Sequence, residues 1–318
     1  MNIPILMYHY VRPITKRLSP RHKVLDLELF SSQLEILQSR YLFRTSKELV
    51  QLTGEDISSN LIWLTFDDGY KDCIEYVLPV LLKHNAVATF YLPTEAIFER
   101  KLLDVNKIHI LLSGPKTPRQ IVEASSEIFN DLQIAEIIGI SFGDLYEKYA
   151  NPNLWNDGDT EFLKKLYQKA VPSAQRRALL SATFEQLVDR PESSWVDEFY
   201  LTPDDVRRLF NSGMEIGSHS HTHEWLEDLT IDQQRSDLSE SFRYLDLAIG
   251  SNKNRTMCYP FGSYNSDTLA VLSELSVKTA VVNDGSKFAN FNNPSPSHLK
   301  LDRIDIMFFD QLIDGEFN

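Results

Sequence analysis

The sequence predicts an α/β fold built on parallel strands, and three observations predict it. Short apolar, β-branched runs at 3–9 (IPILMYH), 61–66 (LIWLTF) and 86–92 (AVATFYL) alternate with stretches of helical period, an order that favours parallel strands joined by helical crossovers. The strand signals end abruptly in chemistry-bearing residues: Asp67-Asp68-Gly69 after the second, and HSHTH after Met214–Ser218. The alternation lapses from about residue 97 to 199 and resumes at Thr202. One domain, 1–318, with a mostly helical insertion at about 97–199, is therefore expected.

The elements follow in order. Ile3–His9 reads as a strand ending in polar groups, and Pro20 to about Leu37 as a helix with Leu27, Phe30, Leu34 and Leu37 on one face. Tyr41–Arg44 reads as a short strand and Ser46–Leu52 as a short helix capped by Ser46. Leu61–Gly69 is the central strand and its turn. Asp72–His84 is a helix that Pro79 is expected to kink. In the insertion Lys101–Leu112, Pro118–Leu132 and Thr160–Val188 are helical in pattern, with a turn-rich loop at Asn151–Asp159. The insertion serves either as packing bulk or in substrate selection. After it, Thr202 caps a helix that opens on Pro203 and ends near Gly213. Then come the strand Met214–Ser218, an amphipathic helix Thr230–Ile249, a strand Thr256–Tyr259 closing on Pro260-Phe261-Gly262, a helix Asp267–Leu275 and a strand Lys278–Asn283. Asn290–His298 is loop-like, and Arg303–Phe309 is a last strand or helix end.

Composition narrows the function. The 318 residues carry 32 basic and 45 acidic side chains, a formal charge of −13. That balance argues against a nucleic-acid partner, which needs clustered Lys and Arg. The two cysteines, Cys73 and Cys258, have no metal-like spacing and suit a reducing compartment. The opening MNIPILMYHYVRP lacks a basic leader region, and no run approaches the ~20 apolar residues of a membrane helix. A soluble, cytoplasmic protein without an integral membrane segment is expected.

Asp67 and Asp68 would face opposite sides of a straight strand, but Gly69 lets the chain curl and both reach one cavity. Two close carboxylates call for a cation or a shared proton. His219, His221 and His223 cluster at the end of another strand. His219 and His223 share a face whether the segment is helical or extended, and with Asp68 they form a catalytic ligand set for zinc or a similar divalent ion. His221 reads as a supporting or surface residue. Trp63, Phe66 and Tyr70 read as core, and the loop Trp155 as a candidate for stacking on a sugar ring.

These residues carry a resemblance. TFDDGY (65–70), GSHSHTH (217–223) and YPFGSY (259–264) resemble three successive motifs of the polysaccharide deacetylase family, the NodB-homology enzymes of carbohydrate esterase family four, and ILMYHYV resembles the start of one of its branches. The resemblance covers about 1–95 and 200–310. It implies a distorted (β/α)7-type barrel and metal-dependent removal of an N-acyl group, N-acetyl foremost, from an amino sugar. It further implies Asp67 as base, Asp68, His219 and His223 as ligands of a divalent metal (Zn, with Co, Mn, Ni or Fe as alternatives), and the backbone N–H of Phe261 as donor to the oxyanion. A surface-glycan precursor, linked to a nucleotide, a lipid or a short oligosaccharide, is the expected substrate. N-deformylation, hydrolysis of another amide or ester, and glycan binding on an inactive scaffold are the alternative readings.

Two departures from the family pattern stand out. The position two residues before the motif-three proline, where many members carry an arginine that orients the base, is Cys258. Arg303 is the candidate to supply that charge instead. No Leu-x-His triplet near the C-terminus provides a general acid, which leaves His9, at the end of the first strand, as acid or substrate contact, and His298 as an exposed residue.

Overall fold

A computed structural model describes residues 2–19, 22–51, 60–153, 156–283, 288–291 and 297–315. The chain falls into two compact units. One comprises residues 1–16, 24–101 and 197–318, and the other 17–23 with 102–196.

The first unit is organised by a parallel sheet. Its strand order is Thr279–Val281, Thr256–Cys258, Glu215–Ser218, Ala88–Leu92, Leu61–Phe66, Ile5–Tyr8 and Ile304–Asp305, with Leu42–Phe43 added beside Leu61–Ile62. Every neighbouring pair is parallel. The segment before the last strand joins the two edges. Leu301 bridges to Val281 at one edge, and Ile304 pairs with Leu6 at the other. The sheet thereby curls into the distorted barrel of the (β/α) kind.

The central strand shows why this sequence suits that position. Leu61, Ile62, Trp63, Leu64, Thr65 and Phe66 are all buried, as a strand covered on both faces requires. Leu61 and Trp63 pack inside with Ile5, Tyr91, Cys258, Val281 and Leu301. Phe66, on the opposite face, stacks between Tyr8 and Phe90 at centroid distances of 4.8 and 5.1 Å and meets Phe30 edge-on. Burying a side chain of this size contributes roughly 1.5–3 kcal/mol. Trp63 donates to the Thr89 hydroxyl, which donates to Glu215, so these polar atoms of the interior are paired.

The helices follow their caps. Thr202 caps Pro203–Asn211 in a capping box with Asp205, and Thr230 caps Ile231–Ile249 with Gln233. Three details differ from expectation. The short helix Ser46–Leu49 is capped by Thr45 rather than Ser46, because Glu48 reaches back to the Thr45 N–H. The stretch after the central strand is a π-type turn, Cys73–Val77, running into an α-helix, Leu78–Lys83. Pro79 has no N–H to donate, so the regular bonding pattern cannot continue through it. The last strand is only Ile304–Asp305, after which Asp305 caps a short helical run.

The second unit holds no strand among its described residues. Its helices include Asp104–Ser113, Pro118–Asp131, Phe142–Tyr149, Gly158–Lys165 and Ser173–Leu187, the last two separated by a π-type turn and Pro172. Phe142 meets Phe129 and Phe162 edge-on in its core. Trp155 lies outside the described residues. No helix among the described residues is long and apolar enough to cross a membrane.

Candidate metal centre and the barrel rim

Parallel strands put their C-terminal ends on one rim, and the register aligns the residues that follow them. Tyr8 pairs with Phe66, so His9 and Asp67 emerge side by side, and the Asp67 N–H donates to the Tyr8 carbonyl at 3.0 Å. Leu92 pairs with Ser218, and Ser218 with Met257, which brings His219 beside Cys258.

The turn after the central strand separates the two aspartates. Asp68 has φ +68° and Gly69 φ +62°. Two successive left-handed residues swing Asp68 away from the strand direction while Asp67 stays on the inner face of Trp63 and Thr65. Asp tolerates this conformation better than most residues, and at Gly69 a Cβ would lie 2.8 Å from Ile97 Cδ1.

Asp68 faces the two histidines. Its Oδ1 lies 3.4 Å from His219 Nε2 and 3.3 Å from His223 Nε2, and all three side chains are buried. The segment carrying the histidines is neither helix nor strand. Ser220 and His223 have φ +60° and +56°, and the turn is pinned by side chains. The His223 N–H donates to Ser220 Oγ at 2.9 Å. Asp237 accepts from the His221 and Thr222 N–H groups at 2.8 and 3.0 Å and from the Thr222 hydroxyl at 2.6 Å. His221 points elsewhere, with Nδ1 2.9 Å from the Thr94 hydroxyl and Nε2 3.3 Å from Glu99.

The donor chemistry of the triad fits a divalent ion. His219 Nδ1 lies 2.8 Å from the Cys258 carbonyl, which can only accept, so that nitrogen carries the proton and Nε2 is directed at Asp68. Ligands about 2.0–2.1 Å from a tetrahedral ion lie about 3.4 Å apart, close to the spacings from Asp68 Oδ1 to the two imidazoles. Burial pushes the Asp68 carboxyl up, but hydrogen bonds to His219 and His223 outweigh it and hold the group well below the usual carboxylate range.

Asp67 is held differently. The guanidinium of Arg303 grips it with both arms, NH1 to Oδ1 at 2.8 Å and NH2 to Oδ2 at 2.7 Å. Arg303 is fully buried and also donates to the Val282 carbonyl, the Thr65 hydroxyl and Cys258 Sγ. Burial raises the Asp67 carboxyl, and the charge and hydrogen bonds of Arg303 outweigh it, leaving it below its ordinary value. Thus Asp67 is hydrogen-bonded to a cation outside the triad, while Asp68 faces the two imidazoles. Cys258 sits against the pair, its Sγ 3.5 Å from Asp67 Oδ2, with burial pushing the thiol up and keeping it neutral.

The remaining candidates lie around the same rim. His9 Nε2 is 4.0 Å from Asp67 Oδ2, and its side chain is 39 % exposed. Phe261 has φ +57° in a turn closed by the Gly262 N–H on the Tyr259 carbonyl. Its ring lies parallel to Trp225 at 4.6 Å and edge-on to His223 at 4.9 Å. His298 is half-buried against Phe291, not exposed as the sequence suggested. Two further residues belong to the site's support. Tyr70 donates to Asp68 Oδ2, and Asp237 holds the histidine turn. Tyr70 stood in the first motif but reads as core because it is aromatic, and Asp237 is one carboxylate among several on an amphipathic helix.

Comparison with known proteins agrees with this geometry. The polysaccharide deacetylase family model matches residues 54–130 and 154–280. The YxkH protein of Bacillus subtilis (strain 168) is 25 % identical over 118 residues, 37 % of this chain, and the match spans 40 % of that protein's length. Among solved structures, the Streptococcus pyogenes deacetylase PplD, in complex with acetate, superposes with a TM-score of 0.60 at 20 % identity, covering 99 % of this chain and 97 % of that one. IcaB from Ammonifex degensii superposes with a TM-score of 0.58 at 15 % identity, covering 98 % and 96 %. The structures share the fold, and the family match extends over most of the sequence. With its motifs gathered on one barrel rim, the chain belongs to the polysaccharide deacetylase family.

Proposed function

We propose that this protein is a metal-dependent hydrolase that removes an N-acyl group, N-acetyl foremost, from an amino sugar in a glycan precursor. The observation that carries this reading is the pairing of a buried Asp68–His219–His223 triad with an Asp67 that a separate cation, Arg303, keeps ionised. The S. pyogenes relative, a deacetylase holding acetate, is in keeping with a small acyl product.

Asp68, His219 and His223 would hold the ion. When bound, a divalent ion supplies Lewis acidity, polarising an acyl carbonyl and lowering the pKa of a water from ~15.7 toward ~7. Asp67 is the group placed to accept the water's proton, being ionised across the neutral range and free of the triad. Arg303 orients it through two parallel hydrogen bonds, which fix the carboxylate plane. The Phe261 N–H, in its rigid turn beside His223, is the second donor to the oxyanion, a contribution of about 2.7–4 kcal/mol for one such group. His9, half-exposed next to Asp67, is positioned to give a proton to the departing amine. The two unpaired cysteines suit action in a reducing compartment.

The test is a screen of N-acetylated and N-formylated amino sugars, as nucleotide-sugars, lipid-linked sugars and short oligosaccharides, with Zn, Co, Mn, Ni or Fe added. Release of a primary amine, lost on chelation and in Asp67→Asn, is expected. Metal-loaded protein that releases an alcohol instead of an amine, or releases nothing from any of these, overturns the reading.

A further inference from the structure

Asp68 offers its two oxygens to different partners. Oδ1 faces both imidazoles, while Oδ2 accepts from the Tyr70 hydroxyl at 2.8 Å. Tyr70 is fully buried and is not free to leave. Its ring stacks on Tyr10 at 3.9 Å, lies parallel to Tyr200 at 6.3 Å and contacts Phe199 at 6.1 Å. Its backbone bridges to Tyr200, and the Leu201 N–H donates to the Gly69 carbonyl at 3.0 Å. Next to it Arg12 grips Asp72 through two hydrogen bonds of 2.9 and 2.7 Å, anchoring the turn from the other side. The carboxylate oxygen can only accept, so the Tyr70 hydroxyl is the donor in this bond.

A carboxylate with both oxygens free can bind an ion through one or both. One whose second oxygen is already engaged is restricted to the first, and its plane is fixed. We infer that Tyr70 is a positioning residue that reserves Asp68 Oδ2, so that Asp68 meets the metal through Oδ1 alone. The inference rests on the reading of Asp68, His219 and His223 as metal ligands. It assigns Tyr70 a task toward the ion equivalent to that of the Cys258 carbonyl behind His219. Partners of this kind are typically worth 10- to 100-fold in metal affinity.

The experiment uses the whole protein, stripped of metal and reloaded with Zn or Co(II). Affinity is measured by competition with a chromophoric chelator for wild type, Tyr70→Phe, Tyr200→Phe and His219→Ala. Tyr70→Phe is expected to bind Zn about 10- to 100-fold more weakly. Its Co(II) visible bands should weaken as Asp68 gains a second oxygen contact and the coordination number rises. Tyr200→Phe removes a hydroxyl from the same aromatic cluster while leaving the Tyr70–Asp68 hydrogen bond in place, and should bind as wild type does. Equal loss in both tyrosine variants, or an unchanged affinity and spectrum in Tyr70→Phe, overturns the assignment. Wild type that binds no ion, or His219→Ala that binds as well as wild type, overturns the metal reading itself and is distinguishable from the former result. Infrared difference spectra of wild type with 13C-labelled aspartate, metal-loaded minus metal-free, test the same point without a variant. Widely split carboxylate stretches mark one-oxygen binding and are expected, and a narrow splitting refutes it.

Discussion

Replacing Arg303 by Met tests the electrostatic logic of the rim most directly. The substitution conserves apolar bulk and removes both hydrogen bonds to Asp67, together with those to Val282 and Thr65. Asp67 is 2 % exposed and would keep the weak Cys258 thiol contact, the nearby His219 and a distant His9, none of which replaces the two guanidinium hydrogen bonds. Breaking a buried pair by removing one member typically costs about 3–5 kcal/mol, because the remaining charge is left in a poor solvent. In metal-free protein at neutral pH the unfolding free energy should therefore fall by that amount, seen as a lower urea midpoint at unchanged slope. The pH dependence should also change sign. In wild type the Asp67 carboxyl lies below its unfolded value of 3.8, so its contribution is complete above that value and is lost as pH falls through the folded one. In the variant burial acts without Arg303, the carboxyl is pushed up, and folding favours the protonated form, so stability falls as pH rises through the new value. The deficit should thus be largest near neutrality and shrink toward about pH 4. Turnover at neutral pH should fall with the loss of an ionised base, by roughly 10²- to 10⁴-fold. A variant as stable as wild type near neutrality, or a deficit independent of pH, would refute the argument that Arg303 compensates Asp67.

Three further substitutions probe the supports of the site. Gly217→Ala places a Cβ 2.6 Å from the Tyr91 ring and 2.8 Å from Thr256 Cγ2, and should cost about 1–3 kcal/mol in a thermal or urea melt. Asp237→Ala releases the turn amides of His221 and Thr222 and should cost about 1.5–3 kcal/mol, with metal affinity reduced about 10-fold or more by chelator competition. Glu215→Gln disturbs a buried carboxylate that accepts from the Ser46 N–H and hydroxyl, the Lys47 N–H and the Thr89 hydroxyl, again about 1.5–3 kcal/mol. Burial pushes the Glu215 carboxyl up, so wild type loses stability as pH rises above 4.5 through the folded value, and that slope should be absent from the Gln variant.

The residues that can be read from the sequence are those whose neighbours along the chain define them. Leu61–Phe66 declares a doubly covered strand by its unbroken apolar run, and its acids follow at once, so Asp67 and Asp68 could be placed on a rim from the sequence alone. The caps at Thr202 and Thr230 are equally local. What escaped detection depends on distant partners or on backbone sign. Arg303, 236 positions from Asp67, is legible only through the departure from the family pattern at Cys258, since nothing local links it to that carboxylate. The histidine turn fits neither of the two regular periods considered for it, because left-handed residues at Ser220 and His223 break both. Tyr70 and Asp237 carry no local pattern that separates a buried donor or acceptor from an ordinary core ring or helix surface acid.

The junction made by Leu301 and Ile304 has a consequence for biosynthesis. While that stretch is still inside the ribosomal tunnel, the nascent sheet exposes two unpaired rims of amide and carbonyl groups, a template for unwanted association. The same stretch delivers Arg303, so until translation passes it Asp67 is a stranded anion in a half-made interior. Closure of the sheet and neutralisation of Asp67 thereby depend on the same short stretch of chain.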